Sequence, residues 1–352
     1  MSDTAQVRSG EELEIDPLLT FLKEHFGDAV DDLVVEQFPA GSSNLTYLIK
    51  FSNDSFVLRR PPYGNTVKSA HDVRREFEVL SKLSSVYPPA PKPILFCDDE
   101  SVIGSEFYLM ERRRGLIIRG RSPAALEGSP DLRLKVARSF ISNLAQLHSL
   151  DYKAAGFGDL GRPDGYCRRQ VEGWTKRYFA AKTHDGPEIE TVIEWLNNNI
   201  PPESGGACLV HNDYKFDNVM LDPADLTRVT AVLDWEMVTV GDPLMDLGTT
   251  LGYWMSRGAG EEMLNMPFNP RVLMENVSHS ELVKLYVEGS GRDAANILFY
   301  YVFGTFKIAV IGQQIYARFV KGFTRDERFS SFDRFVRTLG TIASAAIDRD
   351  TI

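Results

Sequence analysis

His211-Asn-Asp-Tyr-Lys-Phe-Asp-Asn218, then Val219-Met-Leu221, then, beyond a short turn, Val232-Leu-Asp234-Trp235, is the stretch whose reading decides the fold. Val219–Leu221 reads as a short strand, Asp222-Pro-Ala-Asp225 as a turn and Val229–Leu233 as a returning strand, since apolar β-formers flank a Pro/Asp cluster. Paired strands lie roughly 4.8 Å apart, so this hairpin is expected to return Asp234 to the end where Asn218 sits. An Asn amide oxygen and an Asp carboxylate suit a hard cation such as Mg²⁺, which takes one or two protein ligands and fills its shell with phosphate and water. Asp213, at the start of the same loop, is then left to accept a proton from an attacking hydroxyl. Lys215 is placed to meet the transferring phosphate as a point charge. The chemistry expected of this set is metal-assisted phosphoryl transfer. A single Asp in a loop is ordinarily a turn or cap residue; the ordered set of acid, base, amide and second acid is what carries the reading.

Upstream, Val34–Phe38, Leu45–Phe51 and Phe56–Arg60 are expected strands joined by the turns Ala40-Gly-Ser-Ser-Asn44 and Ser52-Asn-Asp-Ser55. The tip Gly41-Ser42-Ser43-Asn44 offers backbone N–H groups and hydroxyls to phosphate oxygens, and reads equally as an ordinary polar hairpin turn. A helix is expected over Ala70–Leu83, with Glu76 on the same face as Val73, Leu80 and Leu83. A carboxylate on an apolar face needs a cation, and Arg59 at the end of the third strand is the natural partner; an Arg on the same helix is the alternative. Phe107–Met110 reads as a strand running into Glu111-Arg-Arg-Arg-Gly115, where composition changes abruptly.

Together these segments resemble the protein-kinase-like superfamily and, more closely, the aminoglycoside phosphotransferase family. The match runs through HxDxxxxN at His211–Asn218, the metal-binding Asp of Asp234-Trp-Glu236 and the segment Gly241-Asp-Pro-Leu-Met-Asp-Leu247, from about residue 30 to 335. The resemblance implies an α+β, bilobal protein-kinase-like fold: a small N-terminal antiparallel sheet plus helix over 14–111, a larger, mainly helical C-terminal lobe over 112–352, and a disordered tail over 1–13. It implies ATP and Mg²⁺ as cofactors, Asn218 and Asp234 as metal ligands, and Asp246 as a brace for the catalytic loop. It assigns the backbone of Glu111 to Arg113 to the adenine edge. Arg59 stands where kinase-like enzymes place a Lys on the α and β phosphates, a departure that keeps the charge and changes its geometry; Arg60 takes the role if the register is off by one.

Gly158-Asp-Leu-Gly-Arg-Pro-Asp-Gly-Tyr166, Arg169-Gln170 and Trp174 are similar to phosphotransferase domains related to those fused to acyl-CoA dehydrogenases. That subgroup implies a small-molecule hydroxyl acceptor of the hydroxyacyl-CoA kind. Arg112, Arg113, Arg114, Arg119 and Arg121 would attract CoA phosphates and repel a polycationic antibiotic, or they form a solvated basic face. Trp254, Tyr301, Lys307 and Arg318 are candidates for an acceptor pocket or for core. Aminoglycoside or choline-type kinases are rival enzyme readings, and a nonenzymatic nucleotide-binding scaffold is the rival class. A protein kinase is disfavoured because no Ala-Pro-Glu segment follows Asp234-Trp-Glu236.

Length and composition agree with this frame. A chain of 352 residues, 43% hydrophobic and 25% charged, has enough length for two domains and the make-up of an ordinary globular protein. A net charge of −10 opposes binding to a phosphate backbone, so no nucleic-acid partner is expected. Cys97, Cys167 and Cys208 show no CxxC or zinc spacing, and the first residues lack a charged-then-apolar leader, so a cytoplasmic location is expected. Ala294–Val320 is apolar but interrupted by Lys307, Gln313, Gln314 and Arg318; a buried core helix is expected there, with no membrane contact.

Overall fold

The first strands pair as their alternation demands. In the computed structural model β1 (Val34–Gln37), β2 (Leu45–Phe51) and β3 (Asp54–Arg60) form antiparallel ladders with Tyr47 opposite both Gln37 and Leu58. With β4 (Pro93–Cys97) and β5 (Phe107–Glu111) they make a five-stranded sheet in the order β1-β2-β3-β5-β4. The structure describes residues 3–27, 30, 32–39, 44–62, 72–120, 123–202, 206–266, 269–324 and 326–352. Gly41, Ser42, Ser43 and Arg121 lie outside the described residues, as does the expected start of the helix at Ala70.

The chain divides into two compact units, Met1–Arg114 with Thr230–Glu236, and Gly115–Val229 with Met237–Ile352. This differs from the expected division after 111 in two ways: the first unit runs on to Arg114, and 230–236 joins it. There the Val232 N–H donates to the Pro89 carbonyl at 2.9 Å, and the Trp235 ring meets the Tyr87 ring edge-on at 5.8 Å.

In the first unit, helix α1 (Ile15–Phe26) buries Leu18 and Leu22 against Tyr47, Leu58 and Phe107 of the sheet. Each fully buried Leu of this kind contributes about 2 kcal/mol relative to exposure. The expected free tail over 1–13 is corrected. Ala5 exchanges backbone hydrogen bonds of 2.9 Å with Gln37, the Tyr47 hydroxyl donates to the Glu11 carbonyl at 2.6 Å, and Leu13 is buried. An unpaired edge on β1 and an apolar side chain at Leu13 hold this segment down. Helix α2 (Val73–Leu83) starts where Asp72 caps it, its carboxylate accepting the Arg75 N–H at 2.9 Å.

The second unit is mainly helical, with α3 (Ala124–Glu127), α4 (Pro130–His148), α5 (Tyr166–Ala181), α6 (Pro187–Asn198), α7 (Pro243–Tyr253), α8 (Glu261–Leu264), α9 (Arg271–Met274), α10 (His279–Ser290), α11 (Ile297–Val320) and α12 (Phe332–Arg349). Strand β6 (Cys208–Val210) feeds the His211 loop; β7 (Val219–Leu221) leaves it and turns at Asp222–Arg228 toward β8 (Val229–Val232). Strand β9 (Thr239–Gly241) pairs antiparallel with β6 and leads into α7. The apolar 294–320 segment is the core helix expected of it: α11 packs against α5, α6, α7 and α12, and no helix among the described residues is long and apolar enough to cross a membrane. At the crossing of α7 and α11 a Cβ on Gly248 or Gly304 would collide with the other helix's backbone, so only glycine permits this approach. Lys307 lies one turn beyond Gly304 and is carried by the same contact into the loop that follows β6.

Candidate active site

The His211–Asn218 loop is shaped by a buried acid. Asp246 stands in the first turn of α7, and its two oxygens accept the backbone N–H groups of His211 at 2.6 Å and Asn212 at 2.8 Å. His148 Nε2 lies 3.1 Å from the same carboxylate and its Nδ1 2.7 Å from the Tyr286 hydroxyl, so His148 is structural, as expected. Burial alone would raise the Asp246 carboxyl, but the hydrogen bond from His148 and the nearby imidazoles outweigh it and hold it below the usual carboxylate range. Asn212 takes a left-handed backbone, φ 66°, which Asn tolerates better than most residues, and which lets two successive N–H groups converge on one carboxylate.

That turn delivers Asp213. Its Oδ1 accepts the Tyr253 hydroxyl at 3.0 Å; its Oδ2 accepts Lys215 Nζ at 2.7 Å and Asn218 Nδ2 at 2.9 Å. The Asn218 amide also donates to the Asp213 carbonyl at 3.0 Å, so its Nδ2 is committed to Asp213 and its Oδ1 is the acceptor atom of the side chain. Tyr253 was not singled out by the sequence; it closes α7, and its position beside Asp213 emerges only once α7 is placed by Asp246. Burial, then the neighbouring Asp213 charge, raises the Tyr253 phenol, so it acts as a neutral donor. Lys215 Nζ also sits 4.8 Å from the centre of the Tyr253 ring.

Lys307, expected to line an acceptor pocket or the core, does the second. It is 2% exposed and donates to the Asn212 carbonyl, with its ammonium 5.5 Å from the Trp174 ring centre. Burial lowers its amine to about 8 despite the attraction of Asp213 and Asp246. Trp254 and Tyr301 are also buried, Trp254 donating to the Val277 carbonyl at 2.8 Å, whereas Arg318 is exposed.

The first unit holds the other predicted residues. Arg59 Nη1 donates to Glu76 Oε1 at 2.7 Å, both side chains being nearly enclosed, so the cross-element pair wins over a same-helix partner for Glu76. Arg60 is bonded instead to the Ile103 carbonyl at 2.7 Å, which leaves Arg59 in the expected register. Arg59 Nη2 also donates to Asp234 Oδ1 at 3.0 Å and lies 3.8 Å from Glu236. Burial opposes the Arg59 charge, but Glu76, Asp234 and Glu236 together hold the guanidinium well above its ordinary value; burial raises Glu76 in spite of Arg59. The Trp235 N–H donates to Glu76 at 3.1 Å, and Asp234 adopts φ 67°. Asn44 donates to Glu236 at 3.1 Å.

At the end of β5, the Glu111 N–H is bonded to the Lys92 carbonyl, and the Glu111 carboxylate accepts the Lys92 N–H at 2.6 Å. Arg113 pairs with Glu111 at 2.8 Å and donates to the Pro88 and Ala90 carbonyls, so its side chain is a strut for its own backbone. Arg112 pairs with Asp3 at 2.7 Å, and Arg119 with Asp217. Of the basic run, Arg112, Arg113 and Arg119 thus have acidic partners within the chain, and Arg114 is exposed.

An antiparallel sheet with a Glu-bearing helix, followed by an HxDxxxxN loop braced by an Asp on the next helix, defines a protein-kinase-like phosphotransferase fold. The model of the phosphotransferase enzyme family matches residues 34–266, and the chain belongs to that family. It is 35% identical over 352 residues to the human acyl-CoA dehydrogenase family member 11, an alignment covering 96% of this chain and 44% of the relative. The chain therefore spans less than half the length of that relative. A crystal structure from Ralstonia eutropha JMP134, provisionally described as an aminoglycoside phosphotransferase, is 30% identical, with a TM-score of 0.78 over 94% of this chain and 97% of the other. A thermostable mutant of the aminoglycoside phosphotransferase APH(4)-Ia, solved with AMP-PNP and hygromycin B, shares the fold at 17% identity and a TM-score of 0.56, covering 91% and 98%.

Proposed function

We propose that this chain transfers the γ-phosphoryl group of ATP to a hydroxyl of a small molecule, with Asp213 as the base. The observation that carries this reading is the Asp213 carboxylate, aimed by donors from Lys215, Asn218 and Tyr253 while its side chain stays 14% exposed. In this reading Asp213 accepts the proton of the attacking hydroxyl. Lys215 exchanges its contact with Asp213 for the phosphoryl oxygens, placing positive charge where negative charge develops. Arg59, oriented by Glu76, binds the nucleotide phosphates; Gly41, Ser42, Ser43 and Asn44 cover them, and the backbone at Glu111 and Arg113 meets the adenine.

Among the described residues no group of three or more His, Cys, Asp or Glu could hold a metal by itself. That suits Mg²⁺, which takes one or two protein oxygens and completes its shell with phosphate and water. Asn218 Oδ1 and Asp234 would supply them, and the ion would offset charge on the phosphate oxygens. The acceptor is proposed to be acyl-CoA-derived on the strength of the acyl-CoA dehydrogenase relatives.

The Arg59–Asp234 hydrogen bond favours one second reading, a scaffold that binds nucleotide without turnover, because a guanidinium there competes with a metal for the carboxylate. Thermal unfolding with ATP, with and without Mg²⁺, separates the two. Mg²⁺-dependent stabilisation followed by ADP release on adding a 4-hydroxyacyl-CoA, choline or an aminoglycoside supports the enzyme. Metal-independent stabilisation with no ADP release supports the scaffold.

A further inference from the structure

The interior of the second unit holds an ammonium that packing alone does not require. Lys307 is 2% exposed, burial penalises its charged form, and the hydrogen bond it makes among the described residues runs to the Asn212 carbonyl. An apolar side chain of similar length would fill the same space without the desolvation cost. What the ammonium gains is a hold on the residue before Asp213. Asn212 is held at each of its polar atoms: its N–H donates to Asp246 at 2.8 Å, its Nδ2 donates to the Met237 carbonyl at 3.0 Å, its Oδ1 accepts the Tyr166 hydroxyl at 3.1 Å, and its carbonyl accepts Lys307. These contacts keep it at φ 66°, a region that residues other than glycine occupy where their surroundings impose it.

The Asn212 carbonyl belongs to the peptide group that ends in the Asp213 N–H, and that N–H donates to His211 Nδ1 at 3.2 Å. Lys307 therefore holds one edge of this peptide and His211 the other. Because a peptide is planar, fixing both edges fixes the plane, and with it the direction in which the Asp213 side chain leaves the backbone. The contacts from Lys215, Asn218 and Tyr253 act on the carboxylate and set its rotation, not its origin. We propose that Lys307 is a positioning residue for phosphoryl transfer: it orients the Asn212–Asp213 peptide and so aims the Asp213 carboxylate at the attacking hydroxyl, touching neither substrate nor nucleotide itself. The inference deepens the phosphotransferase reading and rests on it for the role of Asp213 as base.

The test compares the full wild-type chain with Lys307→Met. Amide hydrogen exchange at Asn212 and Asp213, followed by NMR, reads the hold directly and needs no substrate. Both amides are expected to exchange about tenfold or more faster in the variant, while the β6–β9 ladder keeps its protection. Turnover of Mg·ATP, with whichever of a 4-hydroxyacyl-CoA, choline or an aminoglycoside is accepted, should show kcat lowered about 10- to 100-fold and the KM for ATP unchanged. A residue that merely packs behaves otherwise: Val310→Ala, in the same helix and fully buried, should lower the unfolding midpoint and leave kcat and both amides as they are. Unchanged exchange in a folded Lys307→Met chain, or a kcat within about twofold of wild type, overturns the proposal. If the variant fails to fold, the wild-type chain decides: the Asn212 carbonyl ¹³C resonance should follow protonation of the Lys307 amine near pH 8, and a resonance that stays put through that range overturns it. Faster exchange in the variant, with no phosphoryl transfer by the wild type to any of these acceptors, retains the hold on the loop and refutes the kinase reading.

Discussion

Replacing Lys307 with Met removes a charge from the interior of the second unit while nearly conserving volume, and the consequence depends on pH in a direction the structure fixes. The amine is 2% exposed and is lowered from 10.5 to about 8, with burial the main cause. Below pH 8 both folded and unfolded chains carry the proton, so the folded state bears the full cost of an enclosed ammonium. Between about 8 and 10.5 the folded chain releases its proton while the unfolded chain retains it, so stability from this group rises with pH across that window. Integrated from pH 7 to 10, the rise is about 2.5 kcal/mol. Met lacks it, though it also forfeits the hydrogen bond to the Asn212 carbonyl. Urea unfolding of both proteins at pH 7 and pH 10 isolates the effect, because groups that titrate identically cancel in the difference. The wild-type chain should gain about 2.5 kcal/mol on the variant between the two pH values. Parallel pH profiles, within about 0.5 kcal/mol, would refute the account of Lys307 as an enclosed cation with a lowered pKa.

Removing the carboxyl of Glu76 leaves Arg59 with its most enclosed partner gone, and Glu76→Ala should cost about 3 to 5 kcal/mol in chemical unfolding; a cost below 1 kcal/mol would show the pair to be incidental. Gly304→Ala forces apart the crossing of α7 and α11, with an expected loss of about 3 kcal/mol or failure to accumulate folded protein, read by soluble yield and Tm. Tyr253→Phe deletes one of the donors that aim Asp213 and should lower kcat about tenfold with the KM for ATP unchanged. An unaltered kcat would make Tyr253 a packing residue.

Much of this was legible in the chain because the signals were local. The alternation of Leu45–Phe51 and the apolar face of Val73, Glu76, Leu80 and Leu83 each specify their own element, and a carboxylate on that face demands a cation, which the structure supplies in Arg59. What escaped depends on tertiary placement. Helix α1 and strand β4 were not singled out, and residues 3–13 were expected to be free because nothing local reveals that β1 has an edge to be covered. Tyr253 gains meaning only from the path of the chain after Asp246. The Arg run at 112–119 has the composition of an anion-binding patch, but its pairings with Asp3, Glu111 and Asp217 could not be seen in composition.

The most direct measurement follows phosphoryl transfer itself, by ³¹P NMR of Mg·ATP with hydroxylated acceptors, for wild type and Asp213→Asn. A phosphomonoester should form alongside ADP, with the Asn variant slower by about 10² to 10⁴ while its unfolding midpoint and ATP-induced stabilisation stay near wild type. A folded Asp213→Asn chain that transfers phosphate as fast as wild type would contradict the assignment of Asp213 as the base.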